Sequence, residues 1–381
     1  MLLPLLKDAP WRPGLHVLVR ADFDVAMDGS AVADASRIEA ALPTIRFLLA
    51  RKVKVRLLAH RGRPGGMKHE ELSLAPVAQL LSRVLGCPVP FVSDPLHGSL
   101  PDADIVLFEN LRFWPGEEHN DPAFAEALAA HGEAYVNEAF AACHRAHASL
   151  VPLARLLPAY AGLHLAEEVV ALERVLERPP RPLVAGVGGV KMETKLPLIR
   201  RFLGDADRVI VGGAIANTLF ALQGGSVGRS MVDTAGAADI SFLRDAKLFL
   251  PFDVVAVDRL APGAAAAVRA RGEVKADEYI ADIGPKSREV FSGLLRGAKT
   301  VVWNGPMGYA EAPEFAEGTI AVARAIQKTG AFTIVGGGDT VAALRRHDVL
   351  AGFSHVSTGG GAMLEFLSGK KLPGLEVFRK Q

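Results

Sequence analysis

Short β-branched runs alternate with helical stretches along the whole chain, and this alternation constrains the fold more than any other feature. Residues 16–22, "VKVRLLAH" (53–60) and "ADIVLF" (103–108) read as strands, with "SRIEAALPTIRFLLA" (36–50) and "LAPVAQLLSRVLG" (74–86) as helices between them. Ser36 is placed to cap the first helix and Pro43 to kink it. A second series follows: "RPLVAGV" (181–187), "ADRVIVG" (206–212), "DVVAVD" (253–258), "KTVVWNG" (299–305) and "AFTIVGG" (331–337). Apolar strands separated by helices imply an α/β fold, with parallel sheets covered on both faces and joined by right-handed crossovers. Between the series, "LPAYAGLHLAEEVVALERVLERPPRP" (157–182) predicts a linker helix stopped by prolines.

Composition narrows the classes. The 381 residues suffice for two domains at roughly 150 residues each. A net charge of +1 argues against a general nucleic-acid binder, so any basic cluster must be local. Cys87 and Cys143 stand far apart in no metal-ligand spacing, which suits a reducing compartment. The start "MLLPLLKDAPWRPG" is too short and Pro-broken for a signal peptide, and no apolar run reaches membrane-spanning length. The expectation is a cytoplasmic protein without a membrane or nucleic-acid partner.

One strand carries an anomaly. In "VLVRADFDV" (17–25), Val17, Val19, Ala21, Phe23 and Val25 share one face, and Arg20, Asp22 and Asp24 the other. Unpaired carboxylates in a low-dielectric interior cost several kcal/mol, so two acids at the carboxyl end of a strand suggest a pocket.

Glycine clusters mark four strand-to-helix handovers: "VGGVKMETK" (187–195), "VGGAIANTLF" (211–220), "VGGGDTVAAL" (335–344) and "STGGGAMLEF" (357–366). Singly they are tight turns. Four in one domain point to an extended phosphate-bearing ligand at helix N-termini, through Gly188, Gly189, Gly212, Gly213, Gly337 and Gly338. Neither a P-loop nor a complete dinucleotide fingerprint is present. Lys191 and Lys195, four apart near a helix start, can lie on one face. Asp339 is either a Mg²⁺ ligand for a nucleotide or an ordinary N-cap.

The first half places Arg37, His60, Arg63, Arg112 and Arg145 at strand ends or in the loops after them. Such a set reads as a pocket for a small polyanion. Cys143–His144 also offers a weak nucleophile reading with no third orienting group.

Taken together, "VLVRADFDV", "AHRGRP", "LFENLRFWPGEEHND", "YVNEAFAACHRAHASLV", "KTVVWNGPMG", "TIVGGGDT" and "FSHVSTGGGAMLEFLSGKKLPG" resemble the phosphoglycerate kinase family, from about residue 15 to the end. The resemblance implies two Rossmann-like parallel-sheet domains: residues 1–157 for phosphoglycerate, a hinge helix at 158–178, residues 179–356 for the nucleotide, and 357–381 returning to the first domain. It implies reversible transfer of the acyl phosphate of 1,3-bisphosphoglycerate to ADP, with Mg²⁺, in glycolysis or gluconeogenesis, by a monomer. Asp22, Phe23, Asp24, Arg37, His60, Arg61, Gly62, Arg63, Arg112 and Arg145 match its triose side. Lys191, Lys195, Asn304, Pro306, Glu311, Gly337, Gly338, Asp339 and Thr340 match its nucleotide side, with Asp339 the metal-associated residue. Arg37, Lys191 and Lys195 would be the transfer residues, with Arg37 and Lys195 meeting at the moving phosphoryl only on domain closure. A kinase of another phosphorylated carboxylate and a non-catalytic nucleotide- or triose-binding paralogue are the alternatives.

The chain departs from that pattern at Asp24, where an asparagine is usual, and at Arg61, where a leucine is usual. Arg61 is then expected to compensate Asp24. Ile280, Ala281, Tyr309 and Ala310 also differ, on the adenine side, which predicts weaker discrimination between adenine and guanine nucleotides.

Overall fold

The computed structural model describes residues 3–96, 100–234 and 240–380. The outer limits of the expected first and last segments, residues 1–2 and 381, lie outside the described residues. By contact density the chain divides into two compact units, residues 1–170 with 371–381, and residues 171–370.

The first unit is built on six parallel strands: β1 (His16–Arg20), β2 (Lys54–Leu58), β3 (Phe91–Val92), β4 (Ile105–Phe108), β5 (Ala134–Asn137) and β6 (Ala159–Ala161). Their order is β3-β4-β2-β1-β5-β6. β1 sits mid-sheet with Val17, Leu18 and Val19 fully buried, as a strand covered on both faces requires. The helix Ser36–Leu49 passes through Pro43, and its N-cap is Ala35 rather than Ser36. Asp34 instead accepts the Ser36 amide at 2.9 Å.

The second unit has its own six-stranded parallel sheet: β7 (Leu183–Val187), β8 (Arg208–Val211), β9 (Leu248–Phe249), β10 (Thr300–Asn304), β11 (Phe332–Gly336) and β12 (His355–Ser357), in the order β9-β8-β7-β10-β11-β12. "DVVAVD" is a strand but does not join it. Asp253–Val257 pairs antiparallel with Ala266–Ala270 and Tyr279–Ile283, and the short β9 takes the parallel edge. A hairpin return sets this pairing, a connection that parallel strands cannot use.

The linker helix spans Leu163–Leu176, and the unit boundary falls inside it, between Val170 and Ala171. Glu138, directly after β5, receives the amides of His164 and Leu165 at 3.1 and 3.3 Å. Burial pushes this carboxyl up to about 8. At the other end of the chain, residues 357–370 belong to the second unit and re-entry into the first begins at Lys371. The reason is strand pairing: Ser357 closes the β11–β12 ladder opposite Gly336. Past Lys371, the Gly374 amide donates to the Cys143 carbonyl at 2.9 Å.

Candidate functional site

In the first unit, β1 ends at Arg20 and the chain runs on extended. Ala21, Phe23 and Val25 enter the core while Asp22 and Asp24 face the other way. Phe23 is fully buried core rather than a triose contact, because its parity in the strand continues that of Val17 and Val19. Asp22 accepts from the Arg37 guanidinium through Oδ2 and from the Asp24 amide through Oδ1 at 3.3 Å. Asp24 Oδ1 accepts the Gly62 amide at 2.8 Å. Both acids therefore tie together the loops that surround the pocket.

Arg20, on the same charged strand face as Asp22 and Asp24, is not among the expected ligand residues but organises the pocket. It is fully buried and donates from Nε to Ser149 Oγ at 2.8 Å, from Nη1 to the Ala21 carbonyl at 2.7 Å, and from Nη2 to His60 Nδ1 at 3.1 Å. Glu117 lies 3.7 Å away and accepts both the hydroxyl and the amide of Ser149 at 2.6 and 2.9 Å. A buried guanidinium is tolerable only with such compensation. Its signal in the sequence is a charge closing an otherwise apolar strand, His16–Arg20.

This network fixes the state of His60. A guanidinium can only donate, so Nδ1 must accept and the ring proton sits on Nε2. Burial, followed by the charges of Arg20 and Arg112, holds His60 well below its ordinary range, so the ring is neutral. Nε2 lies 4.0 Å from Asp24 Oδ2. His60 thus presents an N–H donor without a charge.

Arg37, partly exposed, also acts on His60; Arg145, half-buried, acts on Arg112 and His147, and Arg63, in the loop after His60, is exposed. The guanidinium groups of Arg63 and Arg145 donate no hydrogen bond to the described residues. Arg112 is buried, donates to the Gly62 carbonyl at 2.7 Å, and is lowered by burial to about 10, so it remains charged near neutrality. Arg61 behaves differently from expectation. Its buried guanidinium donates to the carbonyls of Ser73, at 2.7 Å, and Glu71. It therefore braces the loop after Gly62, while its charge also acts on the Asp24 carboxylate. Cys143 is no nucleophile: burial pushes its thiol up to about 12, and its neighbour His144 turns Nδ1 to the Ala141 carbonyl at 2.9 Å.

In the second unit a cleft of about 290 Å³ opens at the carboxyl ends of β7, β8 and β10. The glycine turns serve closeness rather than amide donation. The amides of Gly188, Gly189, Gly212 and Gly213 donate to the carbonyls of Asn304, Pro306, Val187 and Met307 at 2.8, 3.2, 3.0 and 2.8 Å. A Cβ on Gly188 would lie 2.0 Å from the Pro306 carbonyl oxygen, and Gly213 also needs φ +62°. Three backbone loops are thus locked together under the cleft, and these four amides face no anion. The helix Gly338–Arg346 also opens here, with no side-chain cap on its first amides. Gly337, at φ +97°, is its N-cap, so Asp339 lies in the first turn, exposed and lining the cleft; the plain N-cap reading fails. Thr340 is buried and accepts the Gly305 amide at 2.8 Å, a brace for the same turn.

The two lysines separate. Lys191 is the N-cap of the helix Met192–Asp205 and exposed, so it does not share a helix face with Lys195. Lys195 is buried, donates to Asn304 Oδ1, and is lowered by burial to about 8. Ile280, Ala281, Tyr309 and Glu311 line the cleft, whereas Ala310 is core. Arg346, unforeseen, holds the carbonyls of Ala310 and Glu311 at 3.2 and 2.9 Å and so fixes the rim.

The chain matches the family described as phosphoglycerate kinase over residues 7–370. The phosphoglycerate kinase of Caulobacter vibrioides is 46% identical over 380 residues, covering 95% of this chain and 96% of that protein. That of Thermomicrobium roseum is 43% identical over 379 residues, covering 96% and 97%. This chain belongs to the phosphoglycerate kinase family. The solved phosphoglycerate kinase of Coxiella burnetii superposes with a TM-score of 0.88 at 40% identity, covering 100% of this chain and 99% of that one. The Pyrococcus horikoshii enzyme superposes with a TM-score of 0.86 at 28% identity, covering 99% and 98%. Membership makes the activity a phosphoryl transfer with a carboxyl group as acceptor, and the two large parallel sheets match the fold of these neighbours. Among the described residues no helix is long and apolar enough to cross a membrane.

Proposed function

We propose that the first unit binds 3-phosphoglycerate or 1,3-bisphosphoglycerate, that the second binds ADP or ATP with Mg²⁺, and that the helix Leu163–Leu176 is the hinge. The observation that carries this reading is the charge pattern of the first pocket: Arg37 and Arg112 act on a neutral His60, Arg145 acts on Arg112, and Arg63 is exposed in the loop that follows His60. Such a set suits a small ligand with two anionic ends and a hydroxyl. The arginines take phosphate and carboxylate oxygens, while His60 Nε2–H, Asp22 and Asp24 suit the uncharged end.

The second cleft suits a nucleotide: apolar walls from Phe220, Ile280 and Tyr309, with Glu311 and Asp339 at the rim. Lys195, held by Asn304, supplies a fixed positive charge to the transferred group. No group of three or more His, Cys, Asp or Glu side chains able to hold a metal occurs among the described residues. A single exposed carboxylate fits Mg²⁺ that arrives on a nucleotide and keeps phosphate and water ligands, with Asp339 holding it. When bound, Mg²⁺ would neutralise phosphate charge. The chain itself positions both ligands and supplies cations, which is most of what phosphoryl transfer requires.

Turnover in a coupled assay with ATP, Mg²⁺ and 3-phosphoglycerate tests the whole reading. Absence of turnover with both ligands bound supports the binding-only paralogue, and faster turnover of another phosphorylated carboxylate supports the related kinase. Asp339→Asn is expected to raise the Mg²⁺ concentration for half-maximal rate about tenfold. An unchanged Mg²⁺ titration removes the metal role.

A further inference from the structure

One helix serves the rim of the second unit's cleft at two places. The helix Gly338–Arg346 carries Asp339 in its first turn, lining the cleft, and Arg346 at its last position. The loop at residues 305–311 brings Pro306, Met307, Gly308, Tyr309 and Glu311 to the same cleft. The helix holds this loop twice. Thr340 accepts the Gly305 amide at 2.8 Å, and Arg346 donates from Nη1 to the carbonyls of Ala310 and Glu311 at 3.2 and 2.9 Å. Thr340 and Arg346 are six residues apart, about 9 Å along the helix axis.

Other elements fix the middle of the loop. The Met307 amide donates to Thr319 Oγ1 at 3.0 Å, and the Tyr309 amide to the Ala281 carbonyl at 2.7 Å. Beyond Tyr309, Ala310 is core, and the Arg346 guanidinium is the side chain that holds the backbone beneath Glu311. The Glu311 carboxylate is exposed, lines the cleft and makes no hydrogen bond with the described residues. A carboxylate can only accept hydrogen bonds and repels phosphate, so beside an apolar slot for the base it suits ribose hydroxyls. With its side chain uncommitted, Glu311 depends on its backbone for its place. A charged donor on two successive carbonyls is a strong restraint on that backbone.

We propose that Arg346 is a positioning residue for nucleotide binding, which fixes the Ala310–Glu311 backbone so that the Glu311 carboxylate meets the ribose hydroxyls. Because Arg346 and Asp339 share one helix, the same contact sets the spacing between the ribose end and the phosphate end of the cleft. Arg346 acts through Glu311 and touches no ligand itself. A guanidinium suits this task, since it stays charged at any working pH and donates several N–H bonds at once. Its place in the last turn also sets it at the negative end of its own helix dipole.

This inference rests on the cleft being the nucleotide site, and the test separates the two. KM and kcat are measured with ADP and with 2′,3′-dideoxy-ADP, which lacks both ribose hydroxyls. The variants are Glu311→Ala, Arg346→Met, Arg346→Lys and the double Glu311→Ala, Arg346→Met. Arg346→Met keeps the apolar stem and removes the donors. It is expected to raise KM for ADP about tenfold, with kcat within about twofold, and to leave KM for the dideoxy analogue unchanged. Arg346→Lys, with an ammonium in place of the guanidinium, should raise KM for ADP about threefold and again spare the analogue. This second variant keeps the test available where the methionine variant fails to fold. In the Glu311→Ala background, Arg346→Met should add nothing. Equal losses for the two nucleotides, or a further loss in the double variant, would show that Arg346 does not act through Glu311 and overturn the proposal. If Glu311→Ala raises KM for ADP while Arg346→Met does not, only this inference falls. If Glu311→Ala leaves KM for ADP unchanged, the reading of the cleft falls with it.

Discussion

The two units place their sites at the same address, the loops after parallel strands, yet build them from different material. The first unit uses side chains: Arg20, Glu117 and Ser149 form a buried polar scaffold that orients His60, and Arg112, Asp22 and Asp24 tie the loops together. The second uses backbone: Gly188, Gly189, Gly212 and Gly213 lock three turns together, and the cleft above them is walled by apolar groups. The difference follows from the ligands each would hold. A small polyanion offers little surface besides charge, so its site must supply fixed cations. A nucleotide offers a flat apolar base, so an apolar slot with a few polar atoms suffices.

The largest effect that could break this contrast is expected from Arg37. Arg37→Ala should lower kcat by at least about a hundredfold with ADP affinity nearly unchanged, because in the proposed reading its charge would act on the transferring group. A parallel loss of ADP affinity would place Arg37 on the nucleotide side and erase the division of labour.

Lys195→Ala should instead damage both KM for the nucleotide and kcat, by about tenfold or more each. Its protonation gives a pH signature. With its ammonium lowered to about 8, the free enzyme holds this charge below that pH and loses it above. kcat/KM for the nucleotide should therefore fall as pH rises through about 8. A profile flat to pH 10 would show the charge to be unnecessary.

Arg20→Lys tests the scaffold. The ammonium keeps the charge beside Glu117 but cannot also reach Ser149, Ala21 and His60 in the geometry of the fork. KM for 3-phosphoglycerate should rise about tenfold with nucleotide KM constant, and ¹⁵N imidazole shifts of His60 should change from a pure Nε2–H form to a mixture of tautomers. An unchanged tautomer would reduce Arg20 to a packing role.

The smallest effect is expected from Asp24→Asn. The asparagine can still accept the Gly62 amide while removing a negative charge from a site for anions. KM for 3-phosphoglycerate should fall, by no more than about tenfold once screening by the arginines is counted. The added Arg61→Leu change should act mainly through loop order, since Arg61 binds the carbonyls of Glu71 and Ser73, with a smaller part from its charge near Asp24 in the wild type. A higher KM in Asp24→Asn would mean that the second carboxylate is tuned to the substrate.

The sequence by itself determined the α/β class, most strands of the two parallel sheets and the basic cluster, because periodicity and strand-end chemistry are local and repeat along the chain, but not that Asp253–Val257 leaves the parallel sheet. The motifs also carried the family. Tertiary structure alone decided how side chains of the same type divide between ligand and scaffold. Arg61 and Arg63 are two residues apart, yet one is buried on carbonyls and the other exposed. Lys191 and Lys195 likewise separate into surface and interior. The glycine turns read as phosphate cradles, but their amides face carbonyls, and for Gly188, Gly189 and Gly213 these carbonyls lie at 304–307, remote in sequence. Arg20 gave no local hint of its partners, since Ser149, Glu117 and His60 meet it only when β1 lies mid-sheet. Hydrogen-bond partnership depends on distances of about 3 Å between chain segments remote in sequence, and such distances exist only after the sheets have assembled.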